Sequence, residues 1–284
     1  MKIIDCFNFF NEFDIIELRL NILYPYVDKF VIVESNVTHT GKSKPFYFDE
    51  NKEKFDKFLD KIEIFKVTDT PQNFLSLPPS DDPSLQTIYK YIGETNYFNR
   101  ENQTDYGRDF FQKECVLRPL VNFAKDEDIV FISDADEIPH TGIFDNLGKL
   151  DLQDKNYACL QNMYYYYLNV LKEINWSGTK FGLYKNIKNL SVNTLRNEKS
   201  MSTQVSPGGW HFSFMGGAEK VKTKLLAYSA KDMANDNVFN SIENNIKNNI
   251  DPFFRQHLTD VPIDKTYPKY ILDNLETFQH LIKS

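Results

Sequence analysis

The run Asp128–Ser133 (DIVFIS) is the most strand-like stretch of the chain, and it delivers Asp134-Ala135-Asp136-Glu137 with Pro139 just beyond. A short continuous apolar run of this kind predicts a strand buried on both faces, as in a parallel sheet flanked by helices. Ligands bind such sheets at the carboxyl ends of the strands, so the two aspartates belong on a functional rim. In β conformation residues two apart point the same way, which lets Asp134 and Asp136 face one ligand. Carboxylates that close repel unless a cation sits between them, and their hard oxygens suit Mg²⁺ or Mn²⁺. The alternative, for a bare Asp-x-Asp, is an acidic strand-to-loop turn with solvated side chains.

The segments before this strand alternate in type. Lys2–Phe7 reads as a buried strand, and Asn11 offers an N-cap to a helix whose Phe13, Ile16, Leu20 and Leu23 recur at helical spacing. Phe30–Glu34 is a second strand, Glu50–Lys61 a charged helix, and Ile62–Val67 a third strand. This order predicts βαβ units and a mostly parallel sheet. Residues 69–87 are rich in Pro, Ser and Asp and read as a surface loop; Asp105–Ala124 reads as a helix that Pro119 kinks or ends. Further on, Tyr157–Asn169 and Lys180–Lys185 read as strands, GGWHFSFMGG as a Gly-bracketed aromatic turn, and the last ~70 residues as helices.

Composition narrows the function classes. Lys+Arg 33 against Asp+Glu 40 gives a net charge of −7, which excludes a generally basic surface for nucleic acid. Cys6, Cys115 and Cys159 are far apart and odd in number, so they are expected as reduced, buried thiols. The opening MKIIDCFNFFNEFD is broken by Asp5, Asn8 and Asn11, so no signal peptide or transmembrane segment is expected.

Two reaction classes place Asp-x-Asp at a strand end. Haloacid-dehalogenase-type phosphatases carry it on an early strand, with Thr or Val two residues after the second Asp; here it lies mid-chain and that position is Ile138. Nucleotide-sugar glycosyltransferases carry it after a nucleotide-binding βαβ half, which fits better. Four blocks in order then resemble glycosyltransferase family 17: Asp5-Cys6-Phe7 with Phe10-Asn11-Glu12 and Leu18–Leu20; Val31–Asn36 with Gly41-Lys42 and Pro45; FISDADEIP; and GGWHFSF. They span residues 2–232 patchwise, and the tail from about 235 matches nothing.

The resemblance implies a GT-A-type glycosyltransferase fold, an α/β architecture with a mixed, mostly parallel sheet flanked by helices. It implies a metal-dependent inverting enzyme that moves a sugar, N-acetylglucosamine from UDP-GlcNAc in studied relatives, to a glycan acceptor. A single domain over 1–284 would comprise a nucleotide-sugar-binding half (1–136), an acceptor half (137–232) and a helical C-terminal extension (233–284). With no anchor in view, a cytoplasmic enzyme of polysaccharide biosynthesis is expected by analogy. Asp134, Asp136 and His211 are the candidate metal ligands; His211 would favour Mn²⁺ over Mg²⁺, though a histidine between Trp210 and Phe212 can equally be a core residue.

Donor contacts are expected from Phe7, Asn11, Glu12, Glu34, Ser35, Asn36, Arg108, Gln112, Asp134 and Trp210. Glu34 can instead be an acidic loop residue beside Lys29 or Lys42, Asn11 and Glu12 helix caps, and Lys113 and Arg118 solvated. The candidate bases are Glu219, Asp232 and Glu137, in that order, and the exposed half of Tyr164–Tyr167 could stack on acceptor sugar. A metal-dependent phosphohydrolase or phosphotransferase and a non-catalytic carbohydrate-binding protein are the competing classes.

Overall fold

A computed structural model describes residues 1–227, 229 and 233–284. Its strands are β1 Ile3–Asn8, β2 Lys29–Ser35, β3 Ile62–Val67, β4 Ile129–Asp134, β5 Glu137–Pro139, β6 Tyr157–Tyr165, β7 Val170–Leu183, β8 Thr203–Ser213 and β9 Thr259–Asp260. The helices are α1 Phe13–Leu23, α2 Tyr47–Glu50, α3 Pro83–Glu94, α4 Thr104–Glu114, α5 Thr141–Asp145, α6 Tyr184–Ile187, α7 Val192–Asn197, α8 Ala218–Ala227, α9 Asp236–Lys247 and α10 Lys269–Asp273.

One mixed sheet runs through the molecule in the order β3-β2-β1-β4-β7-β6-β8-β5, with β9 paired to β7. The first four strands in that order are parallel, as the βαβ reading requires. β7 then pairs antiparallel with β4, and β5 closes the far edge antiparallel to β8. Strand alternation divides the core: Ile129 and Phe131 of β4 enter the layer under α1 and α10, while Val130 and Ile132 enter the layer under α3 and α4. A third apolar cluster joins Met163 and Phe214 to Val221, Leu225 and Ile242 of α8 and α9. All three cysteines are buried and free. Among the described residues, no helix is long and apolar enough to cross a membrane.

Several local readings need correction. Residues 52–58 wind as a 3₁₀ helix after the short α2, instead of one helix over 50–61. The expected loop 69–87 stops early, because Asp82 accepts a hydrogen bond from Ser84 N (2.8 Å) and Pro83 opens α3. Of GGWHFSFMGG, residues 208–213 are strand, and only 214–217 turn, with Phe214, Gly216 and Gly217 at positive φ. The strand's period-two alternation buries Trp210 and Phe212 in the core and sends His211 to the opposite face. The final segment is pinned by Tyr267, Ile271, Phe278 and Leu281, which pack into the core that α1 covers.

Candidate active site

The rim is built on a buried ion pair. Arg19, on the inner face of α1, is fully buried and grips Asp5 of β1 through two hydrogen bonds of 2.6 and 2.7 Å. The same guanidinium lies 4.4 Å from the Phe7 ring centroid and donates to the carbonyls of Asp134 (3.2 Å), Ala135 (3.3 Å) and Glu137 (2.7 Å) and to Ser133 Oγ (2.6 Å). One side chain thereby fixes the path of the backbone between β4 and β5. Planar, multiply donating arginine suits this role where lysine would not.

Above that foundation each carboxylate meets a cation. Arg196 of α7 donates to Asp134 Oδ2 (3.0 Å) and to both oxygens of Glu137 (2.8 and 3.0 Å). Lys224 of α8 donates to Asp136 Oδ2 (2.8 Å), with Glu12 Oε1 3.5 Å from its ammonium. His211 Nε2 stands 3.3 Å from Asp136 Oδ1, and His211 Nδ1 is buried without a hydrogen-bond partner among the described residues. Burial opposes ionisation, yet Lys224 and His211 hold the Asp136 carboxyl well below the usual range. Arg196 and Lys113, likewise against burial, lower Asp134. Burial also opposes charge on His211, but Asp136 raises it.

These shifts give stability a pH dependence of known sign. The stability that His211 gains from its proton is complete below about pH 6.5 and is lost as pH rises through its higher folded value. Asp136 contributes fully above about pH 4 and loses its contribution as pH falls through its depressed value. In an NMR titration, His211 should keep its proton above about pH 6.5. His39 and His140, whose burial disfavours the charged ring, should lose theirs below it. Coincident titration of all three would contradict this electrostatic picture.

Two carboxylates and an imidazole are the right donors for a divalent ion, and the pocket already holds positive charge against Asp136. As they stand, Arg196 and Lys224 occupy the carboxylates, and among the described residues no three His, Cys, Asp or Glu converge on one ion position.

The other expected contacts fall less uniformly. Asn11 and Glu12 lie beside Lys224 and Phe214 in a small pocket at the start of α1. Glu12, not Asn11, directly precedes the helix, and its carboxylate accepts from the backbone of Phe10 (3.2 Å) and Asn11 (3.1 Å). Phe7 is buried beneath Arg19. Glu34 is turned into the fold, where its oxygens accept from Lys44 (2.6 Å), Tyr47 N (2.7 Å) and Phe48 N (3.1 Å), anchoring the start of α2. Ser35 Oγ accepts from Val37 N at 3.2 Å, and Asn36 is used through its backbone, which pairs with Val67 and Lys44. Arg108 and Gln112 clamp the 36–43 loop by donating to the carbonyls of His39 (3.0 Å) and Val37 (3.1 Å).

Trp210 is core, stacked on His140 at 5.2 Å. Of the candidate bases, Glu137 is buried and held by Arg196, and Glu219 is 87% exposed and paired with Lys222. Asp232 lies outside the described residues. Tyr164, Tyr165 and Tyr166 are all buried, so that run offers little platform. Arg118 is not simply solvated, since it bridges Asp69 (2.9 Å) and Asp82 (3.2 Å), and Lys113 pairs with Asp109 at 3.1 Å.

Arg19, Arg196 and Lys224 were not anticipated in these roles. For Lys224 a signal existed: Lys220 and Lys224 share a helical stripe, and Lys220 reaches Asp14 at 2.6 Å. For Arg196 no sequence pattern marks the role.

The family whose model matches this chain is glycosyltransferase family 17, over residues 1–81. The match takes in β1, α1, β2 and β3, hence Asp5 and Arg19, and stops before Asp134. A beta-1,4-mannosyl-glycoprotein 4-beta-N-acetylglucosaminyltransferase of Rattus norvegicus is 28% identical over 141 residues, covering 49% of this chain and 22% of the relative. The chain therefore spans about a fifth of the length of that relative. Both similarities are to glycosyltransferases.

Proposed function

We propose that this protein is an inverting glycosyltransferase of GT-A type, which moves a sugar, N-acetylglucosamine in the first instance, from a UDP-sugar to a glycan hydroxyl. The observation that carries the reading is the acid pair at the end of β4. It is fixed from below by Arg19 and neutralised from above by Arg196, Lys224 and His211. In a bare acidic turn the carboxylates would be solvated, whereas here Asp136 and Glu137 are buried and the half-buried Asp134 is paired with Arg196. The similarity over 1–81 and the named activity of the rat protein support the same class.

In the reaction, the acceptor oxygen bonds to the anomeric carbon and the bond from that carbon to the phosphate oxygen breaks. Its electron pair leaves with UDP, and the hydroxyl proton passes to a base. The transition state is oxocarbenium-like, and the departing diphosphate gains negative charge. Lys224 and Arg196, which now neutralise the acids, would face that charge in the manner of cationic clamps on phosphoryl groups. Asp136, His211 and Asp134 would hold Mn²⁺, which as a Lewis acid would stabilise the same leaving group. With Glu137 and Glu219 engaged elsewhere, Asp232 is retained as the proposed base.

Release of UDP from UDP-N-acetylglucosamine with Mn²⁺ tests the reading. The wild-type chain should release it, and Asp134→Asn should not. Equal release by both, or by neither, would remove the acid pair from the function.

A further inference from the structure

The antiparallel half of the sheet carries an exposed tryptophan beside the acid pair. Trp176 of β7 is 37% exposed, and its ring centroid lies 6.0 Å from that of His211, which contacts Asp136. β7 is adjacent to β4 on the side away from β1, β2 and β3. A ligand on Trp176 therefore approaches the acids from the side opposite the parallel strands, where the nucleotide is expected.

The strand is distorted to present this ring. Between the pairs Gln161↔Trp176 and Met163↔Glu173, β7 carries one more residue than β6. The extra length falls at Ile174-Asn175, both exposed, and Asn175 adopts a left-handed φ of 60°. A bulge of this kind re-aims a side chain and recurs next to active sites; asparagine tolerates the conformation better than most residues. Leaving more than a third of a tryptophan in water forgoes apolar burial, unless a partner covers it.

We propose that Trp176 is the stacking platform for the acceptor: a pyranose ring lies with its C–H face on the indole, its hydroxyl edge toward His211 and Asp136. This rests on the glycosyltransferase reading and adds the acceptor's position and chemical class. A flat aromatic face with an exposed amide at Asn175 suits a neutral sugar, which offers apolar C–H patches and hydroxyls together. The buried tyrosines of 164–166 cannot serve this purpose.

The chain has two tryptophans and only Trp176 is open to a ligand, so the part of a ligand-induced emission change that is absent from Trp176→Ala reports on Trp176. Titration with methyl β-D-mannopyranoside to ~50 mM, enough to saturate a millimolar site, should change the emission saturably. By calorimetry, Trp176→Ala should weaken the glycoside about tenfold or more, Trp176→Tyr should retain most of the affinity, and UDP affinity should stay within about twofold for both. No saturable change in the wild type, or equal glycoside affinity in Trp176→Ala, overturns the proposal. Parallel loss of UDP binding in Trp176→Ala also overturns it, since the residue would then merely support the fold. A wild type that binds the glycoside through Trp176 but not UDP keeps the platform and removes the nucleotide reading instead.

Discussion

Asp136→Asn should lower sugar transfer by about 10²–10³-fold, the scale expected when one preorganised electrostatic contact to developing charge is lost. The side chain is buried, its oxygens facing Lys224 and His211. Asparagine keeps the shape but removes the charge that holds both cations. The same variant should also melt earlier, because breaking a buried pair leaves an uncompensated charge, a loss of roughly 3–5 kcal/mol in strongly buried cases. Lys224 is partly open to water, which places this case toward the lower end. A second substitution, Lys224→Met, should restore much of the melting temperature and none of the activity. Thermal melts read alongside UDP release separate the two effects; recovery of activity in the double variant would show that Asp136 acts only by restraining Lys224.

Arg19→Met should have the largest effect on stability. It strands the buried Asp5 carboxylate and leaves three backbone carbonyls of the β4–β5 connection without their donor. A loss of about 3–5 kcal/mol is expected, or a fall of roughly 10 °C in melting temperature for a chain of this size. Replacing both partners removes the unpaired charge, so Asp5→Asn with Arg19→Met should be markedly more stable than Arg19→Met alone. UDP affinity should remain impaired in that double variant, since the 133–137 backbone would still lack its anchor. Additive losses in chemical denaturation would contradict the coupling of Asp5 to Arg19.

The parallel strands and the acidic rim were legible because their signals are local. DIVFIS is a strongly apolar run, and the carboxylates of Asp134, Asp136 and Glu137 come directly after it. Where two local signals competed, the tertiary setting decided. Glycines made residues 208–217 resemble a turn, yet residues 208–213 form a buried strand whose Trp210 and Phe212 enter the apolar core while His211 faces the acids. The Asp82-Pro83 start of α3 was visible but was submerged in a loop-like composition.

The candidate site was legible only in part for a physical reason. Its acids are close together in the chain, whereas their cations come from far away: Arg196 is 62 residues from Asp134, and Lys224 is 88 from Asp136. Such pairings are created by topology and leave no spacing to read. Glu34 illustrates the converse. Its place at a strand end suggested a ligand contact, but the backbone N–H groups that open α2 claim its oxygens first.

The most direct test of the account is calorimetric binding of UDP, with and without Mn²⁺, to the wild type and to Asp134→Asn. The wild type should bind UDP, Mn²⁺ should tighten that binding by about tenfold or more, and Asp134→Asn should lose the Mn²⁺-dependent gain. A folded wild-type chain that binds no UDP in either condition would contradict the assignment of this rim to a nucleotide-sugar donor.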